Sequence, residues 1–334
     1  MKHQPKRFAR GLVVGKFCPL HRGHMLVIET ALAACDDVFV ISYTKPEFSG
    51  CEKAVREGWL QALYPQVHSL VLEDGPSVSL PGNDAPDVQQ RDFVGWVCTR
   101  LFECDVDAVF TSEDYGDGFA AALSSYFGHV VQHICVDKAR KLVPISGTAI
   151  REDPYASRAF LAPVVYAAFV RRVAVFGGES SGKTTLAQAL AERLETNWAP
   201  EYGRERWIEK AGVLDYDDML HIGQVQVARE EALVPHARRV LLCDTTPLTT
   251  LCYSMAMFGR AHPKLEKLAA RAYDTILLCA PDFPFVQDGT RRDTDFREMQ
   301  HKMYRNVLDQ KQIAYTVLAG PLEQRLQHAI TLLQ

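Results

Sequence analysis

Three features are scarce in this sequence, and each scarcity removes a class of explanation. No apolar run is long enough to cross a bilayer, and the basic opening MKHQPKRFAR leads into a strand-like run broken by Gly15 and Lys16, not into the apolar core of a secretion signal. Membrane insertion is not expected. The nine cysteines (Cys18, Cys35, Cys51, Cys98, Cys104, Cys135, Cys243, Cys252 and Cys279) contain no C-x-x-C pair. An odd, scattered set indicates neither a zinc site nor a disulfide framework, and a reducing cytoplasm fits it. No sign of charge dominates either: a net −4 gives no overall attraction to nucleic acid, although local basic sites for phosphates stay open. What the chain has in quantity is length and apolar content. At 334 residues and 47% hydrophobic, it exceeds one ordinary core and predicts two domains.

The stretch VAVFGGESSGKTTL divides those domains. Val173 to Phe176 reads as a strand, Gly177-x-x-x-x-Gly182-Lys183-Thr184 as a loop, and Thr185 to Leu194 as a helix. Backbone N–H groups from Gly177, Gly178, Glu179, Ser180, Ser181 and Gly182 through to Thr185, with a helix dipole behind them, suit a polyphosphate such as that of ATP. Lys183 would neutralise the terminal phosphates and Thr184 would hold Mg²⁺. A plain Gly-rich turn is the alternative.

Upstream, the expected organisation is a short extension over 1–10, a first α/β domain over 11–152 and a linker over 153–171, with the second domain over 172–334. Strands are expected at Gly11 to Phe17, Val38 to Tyr43, Ser69 to Leu72, Asp107 to Thr111 and Val130 to Val136, with helices between them. The alternation implies a doubly wound parallel sheet. Residues 73–87, rich in Pro, Gly, Ser and Asp, predict a long loop suited to a lid or a substrate contact. His21 and His24 fall at the end of the first strand beside Gly23, where open α/β sheets collect ligands, so phosphate contacts are one reading. A transition-metal pair or simple helix-start packing are the others. Ser146 or Thr148 is placed to cap a helix carrying Arg151, and Lys16 and Arg151 are further candidate anion binders.

Taken together, Gly15-Lys16-Phe17-x-Pro19-Leu20-His21-x-Gly23-His24 and Ile145-Ser146-x-Thr148-x-x-Arg151 resemble the two signature motifs of nucleotidylyltransferases, specifically nicotinamide mononucleotide (NMN) adenylyltransferases. The resemblance implies in-line attack of a nucleotide phosphate on the α-phosphorus of ATP, with alignment and charge stabilisation supplied by the protein. His21 and His24 would contact the ATP phosphates, Ser146 and Arg151 the departing pyrophosphate, and Lys16 the phosphates of either substrate. Gly15, Phe17, Gly23 and Thr148 complete the implied ATP site. Trp96 falls about where these enzymes keep an aromatic that stacks on nicotinamide, and a core position suits it equally.

In the second half, Val240 to Cys243 predicts an apolar strand ending in Asp244, about sixty residues after the phosphate loop. Such a carboxylate binds Mg²⁺ or its waters, a helix N-cap being the alternative. Glu201, at the end of a weak strand over Asn197 to Pro200, could take the proton of an attacking hydroxyl. Arg291 and Arg292, in a charged stretch after a strand at Thr275 to Ala280, could stabilise a transferred phosphoryl group; solvated loop arginines are the alternative. The order of these motifs is similar to the ribosylnicotinamide kinase domain of the NadR proteins, so both halves resemble one known fusion. The resemblance implies a two-step route from nicotinamide riboside through NMN to NAD, with ATP and Mg²⁺ in use.

Two departures stand out. Some NadR proteins carry an N-terminal DNA-binding helix-turn-helix, for which ten residues before the first strand leave no room, so no DNA partner is expected. A second acidic residue often follows the strand-end Asp in that family, where this chain has Thr245-Thr246. The same two reactions on another vitamin-derived nucleoside, or an ATP and NAD sensor without turnover, remain rival readings, and a homo-oligomer is left open.

Overall fold

Short runs of Val, Ile, Leu and Phe, each closed by a polar or Gly-containing loop, become parallel strands in both halves of the chain. The computed structural model describes residues 6–282, 284 and 294–333. It divides into two compact units, Met1–Phe169 and Val170–Gln334.

The first unit runs β1 (Phe8–Gly15), α1 (Arg22–Ala34), β2 (Cys35–Ser42), α2 (Lys53–Leu63), β3 (His68–Val71), α3 (Asp87–Arg100), β4 (Ala108–Thr111), α4 (Gly116–Phe127), β5 (Gln132–Cys135), α5 (Gly147–Glu152) and α6 (Pro163–Ala167). Its sheet has the order β3-β2-β1-β4-β5, all parallel, so the strand order reverses at β1. β1 starts earlier than the apolar run suggests. Phe8 is buried and meets the Phe110 ring edge-on, and Arg10 N–H donates to the Asp107 carboxylate at 2.8 Å. Residues 153–171, expected as a linker, carry α6 with Val165 and Tyr166 buried, and most of them fall in this unit.

The long loop after β3 is tied down by side chains that include Asn83 and Asp74. Asn83 Oδ1 accepts from Thr44 Oγ1 at 2.9 Å and from Lys45 N–H at 3.2 Å, while Asn83 N–H donates to the Lys45 carbonyl at 2.8 Å. Beneath it, Arg56 is fully buried and donates to Ser42 Oγ, the Cys51 carbonyl and Glu47. Every arm of the guanidinium is therefore used, as burial of an Arg demands.

The second unit runs β6 (Arg171–Phe176), α7 (Lys183–Arg193), β7 (Trp198–Ala199), α8 (Tyr202–Glu209), α9 (Tyr216–Leu233), β8 (Val240–Asp244), α10 (Pro247–Phe258), α11 (Pro263–Ala269), β9 (Thr275–Cys279), α12 (Thr294–Gln310), β10 (Thr316–Leu318) and α13 (Leu322–Leu333). Sheet order is β10-β9-β6-β8-β7, again parallel, with its reversal at β6. Fully buried Val173, Val175, Leu242 and Leu277 pack against Leu186 and Leu190 of α7 on one face. On the other, Ala174, Phe176 and Leu278 meet Leu248, Tyr304 and Leu308. The fold is thus α/β, with two doubly wound parallel sheets, each opening a crevice at its own switch point. No described helix is long and apolar enough to cross a membrane.

Candidate functional site

At the switch point of the first sheet, β1 delivers the chain through Lys16 to Leu20 into α1, and His21 caps that helix. Its Nδ1 accepts from Gly23 N–H at 3.1 Å, and His24 Nδ1 accepts from His21 N–H at 3.4 Å, so the two residues form a reciprocal cap. The rings stack with centroids 3.8 Å apart, and buried Phe17 braces His24 edge-on at 5.0 Å. A ring nitrogen that accepts from a backbone N–H cannot carry the proton, so each neutral imidazole holds it on Nε2. Burial, reinforced by the nearby Arg140 charge, lowers His21 to about 4. Burial and then His21 push His24 well below its usual range. Both are neutral donors at pH 7.

Because the folded values lie below 6.5, these histidines contribute stability that is present above that pH and lost as pH falls through about 4. Thermal melts without ligand should therefore show this unit weakened by about 2 kcal/mol between pH 7.5 and 4.5. His21→Asn, which keeps an N-cap acceptor, should flatten that dependence, and an unchanged slope would contradict the assignment.

The second motif docks directly on the first. Ser146 Oγ caps α5 by accepting from Ala149 N–H at 3.2 Å, which settles the choice between Ser146 and Thr148. Thr148 instead accepts from Arg151 Nη2 at 3.1 Å, while Arg151 Nη1 reaches the Cys18 carbonyl at 2.5 Å. A Cβ at Gly147 would stand 3.2 Å from that carbonyl, a tight approach. A cavity of about 100 Å³ results, lined by His21, Gly23, His24, Ser146 and Gly147. Gly15, Lys16, Phe17, Trp96, Thr148 and Arg151 do not line it. Lys16 is exposed and Trp96 stacks on Phe93 at 5.9 Å beside the core. Arg140, paired with Glu113 at 3.1 Å, does line it and escaped the sequence reading, since a basic Lys138-Ala139-Arg140-Lys141 stretch in a loop reads as a solvated surface.

In the second unit the loop from Gly177 to Gly182 wraps the end of β6. Gly177 has φ 151°, and a Cβ there would fall 2.3 Å from Ser181 Oγ; at Gly178 it would fall 2.7 Å from the Arg297 carbonyl. Lys183 Nζ donates to the Gly178 carbonyl at 3.0 Å, and Thr184 Oγ1 donates to Asp244 Oδ2 at 2.5 Å. Asp244 is 1% exposed, and its Oδ1 has no hydrogen-bond partner among the described residues. Burial and then Glu201 push this carboxyl up to about 6, against the pull of Lys183 and Thr184. The alternative of a helix cap is excluded: Thr246 Oγ1 caps α10, accepting from Leu248 N–H at 3.2 Å. Of Thr245-Thr246, which stand where a second acidic residue often follows, Thr246 is the one that caps.

Beside Asp244 opens a cavity of about 400 Å³. Its lining combines charged Glu179, Lys183, Glu201 and Arg204 with apolar Trp207, Leu214, Met219, Ile222 and Met257. Salt bridges position this wall: Arg206 pairs with buried Asp218 at 2.7 Å and Arg229 with Glu205 at 2.7 Å. Thr245, with φ 72°, holds a left-handed conformation unusual for a β-branched residue and also lines the cavity. Arg325 of α13 braces the loop from behind, donating to the Ser181 carbonyl at 3.0 Å. Gln300 of α12 accepts from Glu179 N–H at 2.7 Å and donates to Tyr253 OH at 2.5 Å, linking loop to cavity wall. Neither Arg325 nor Gln300 carries a sequence signal. Arg291 and Arg292 lie outside the described residues.

The fold and this site define a class: an α/β protein of two doubly wound units, the second bearing a P-loop. In agreement, a family model described as an AAA domain matches residues 172–325. The trifunctional NAD biosynthesis/regulator protein NadR of Escherichia coli (strain K12) is 28% identical over 329 residues, covering 91% of this chain and 77% of the relative. Two solved structures superpose over 98% of the chain. A NadR protein in complex with NAD and AMP-PNP gives a TM-score of 0.69 at 20% identity, with 96% of it covered. A NadR protein in complex with NR gives 0.72 at 21% identity, with 95% covered. The chain is a homologue of the NadR proteins.

Proposed function

We propose that this chain is a bifunctional, cytoplasmic enzyme of NAD salvage, in which the second unit phosphorylates nicotinamide riboside and the first adenylylates the NMN so formed. The observation that carries the reading is the pairing, in the second unit, of a P-loop with a cavity of about 400 Å³ lined by both charged and apolar side chains. Its relatives add weight, since E. coli NadR is described as an NAD biosynthesis protein and solved NadR proteins hold NR, NAD and AMP-PNP.

In the kinase step, ATP phosphates on the loop would take over the Lys183 ammonium from the Gly178 carbonyl. Thr184 and Asp244 fit Mg²⁺, because a buried carboxylate oxygen without a partner is the donor a hard cation requires. Bound there, Mg²⁺ would neutralise charge on the β- and γ-phosphates. Glu201, which lines the cavity, would take the proton from the riboside 5′-hydroxyl as its oxygen attacks the γ-phosphorus. Trp207 and its apolar neighbours give the pyridinium ring a surface to cover.

In the adenylyl step, neutral His21 and His24 would offer Nε2–H donors to the ATP phosphates, and Arg151, held by Cys18 and Thr148, would meet the pyrophosphate as it leaves. No proton need move through either histidine. Incubation with nicotinamide riboside and MgATP alone tests the reading: NAD and pyrophosphate should form, with NMN as the intermediate. Turnover of other nucleosides in preference, or tight NAD binding without turnover, would replace it.

A further inference from the structure

Within the larger cavity, α10 contributes Thr249, Tyr253 and Met257, spaced four apart, and Thr250 beside the first of them. Residues four apart on a helix lie on one face, each step advancing about 6 Å along the axis. The stripe therefore grades from hydroxyl to phenol to thioether, moving away from the Asp244 end. Tyr253 OH is already engaged by Gln300 at 2.5 Å. Thr249 differs. It is 5% exposed, and its Oγ1 is buried with no hydrogen-bond partner among the described residues. An unpaired buried hydroxyl costs free energy, and one on a cavity wall is satisfied by what enters the cavity.

We propose that Thr249 is a specificity-determining residue whose hydroxyl hydrogen-bonds a ribose hydroxyl of the nucleoside. The inference rests on the kinase reading given above. The reacting 5′-oxygen must lie at the Lys183 and Asp244 end, and Met257, eight residues beyond Thr249 on α10, marks the far side, to which the aromatic ring is assigned. The sugar falls between them. Thr249, in the first turn of α10, is the stripe residue nearest the phosphate end, so it meets the sugar and not the ring. Pairing with a sugar hydroxyl satisfies Oγ1 only when that hydroxyl is present, and a site built this way rejects the analogue that lacks it.

Steady-state kinase assays on nicotinamide riboside and its 2′-deoxy and 3′-deoxy analogues, with wild type, Thr249→Val and Thr249→Ser, test this. The wild type should favour the full riboside over one deoxy analogue by about tenfold or more in kcat/KM. Thr249→Val should lose activity on the riboside down to the level of that analogue, leaving the analogue itself nearly unchanged, and Thr249→Ser should restore the preference. Equal losses on all substrates, or no loss, would overturn the role. A variant that instead erases discrimination against a riboside lacking the ring carboxamide would overturn the ribose assignment. Failure of the wild type to phosphorylate any riboside would overturn the kinase reading along with it.

Discussion

Lys183→Ala is expected to lower riboside phosphorylation by about 10³-fold or more while leaving adenylyl transfer from NMN and ATP within about twofold. The ammonium is the cation the loop offers at 3.0 Å from the Gly178 carbonyl, and its removal takes away the charged side-chain donor that the loop brings to the phosphates. The His21 and His24 cavity belongs to another sheet with its own switch point, so the same substitution does not reach it. Separate initial-rate assays of the two half-reactions check both parts. Comparable loss of both activities would show that the sites are not independent.

Asp244→Asn should have two effects of opposite sign. Kinase activity should fall by at least about 100-fold, because a neutral amide is a poor Mg²⁺ ligand. The protein without metal or nucleotide should nevertheless melt higher. Burial raises this carboxyl to about 6 from an ordinary 3.8, so the group prefers its proton in the folded state. Its contribution to stability is full below about pH 3.8 and is lost as pH rises through 6, leaving an unfavourable buried charge at neutral pH. Replacing it should recover on the order of 1–3 kcal/mol at pH 7.5, read by thermal or denaturant unfolding. Destabilisation by Asn would mean that Thr184 and Lys183 already compensate the charge.

Much of the site was legible because its residues sit at the ends of apolar runs. Val173 to Phe176 and Val240 to Asp244 announce their strands by β-branched and aliphatic content, and the parallel sheet carries their C-terminal residues to one crevice. What escaped has physical causes. α13 carries no motif, and beyond the Thr249-Thr250 pair α10 reads LCYSMAMF, so largely apolar that no helical period separates an inner from an outer face. α1 starts at Arg22, before its apolar stretch, because a histidine performs the capping. Arg325 and Glu230 are buried, against the ordinary preference of charged residues, and pairing available only in the fold makes that tolerable. The unpaired oxygens of Asp244 and Thr249 are likewise tertiary facts: nothing in residue type says which hydroxyl or carboxylate will lack a partner.

The central claim is that two independent sites in one chain run consecutive reactions. Mixing the two singly disabled proteins tests it most directly, with nicotinamide riboside and MgATP supplied and NAD as the readout. Lys183→Ala alone should form neither NMN nor NAD, and His24→Ala alone should accumulate NMN without NAD. Together they should make NAD at a rate set by diffusion of NMN from one protein to the other. A mixture that accumulates NMN yet makes no NAD, although Lys183→Ala accepts added NMN, or a single variant that completes both steps, would contradict the account.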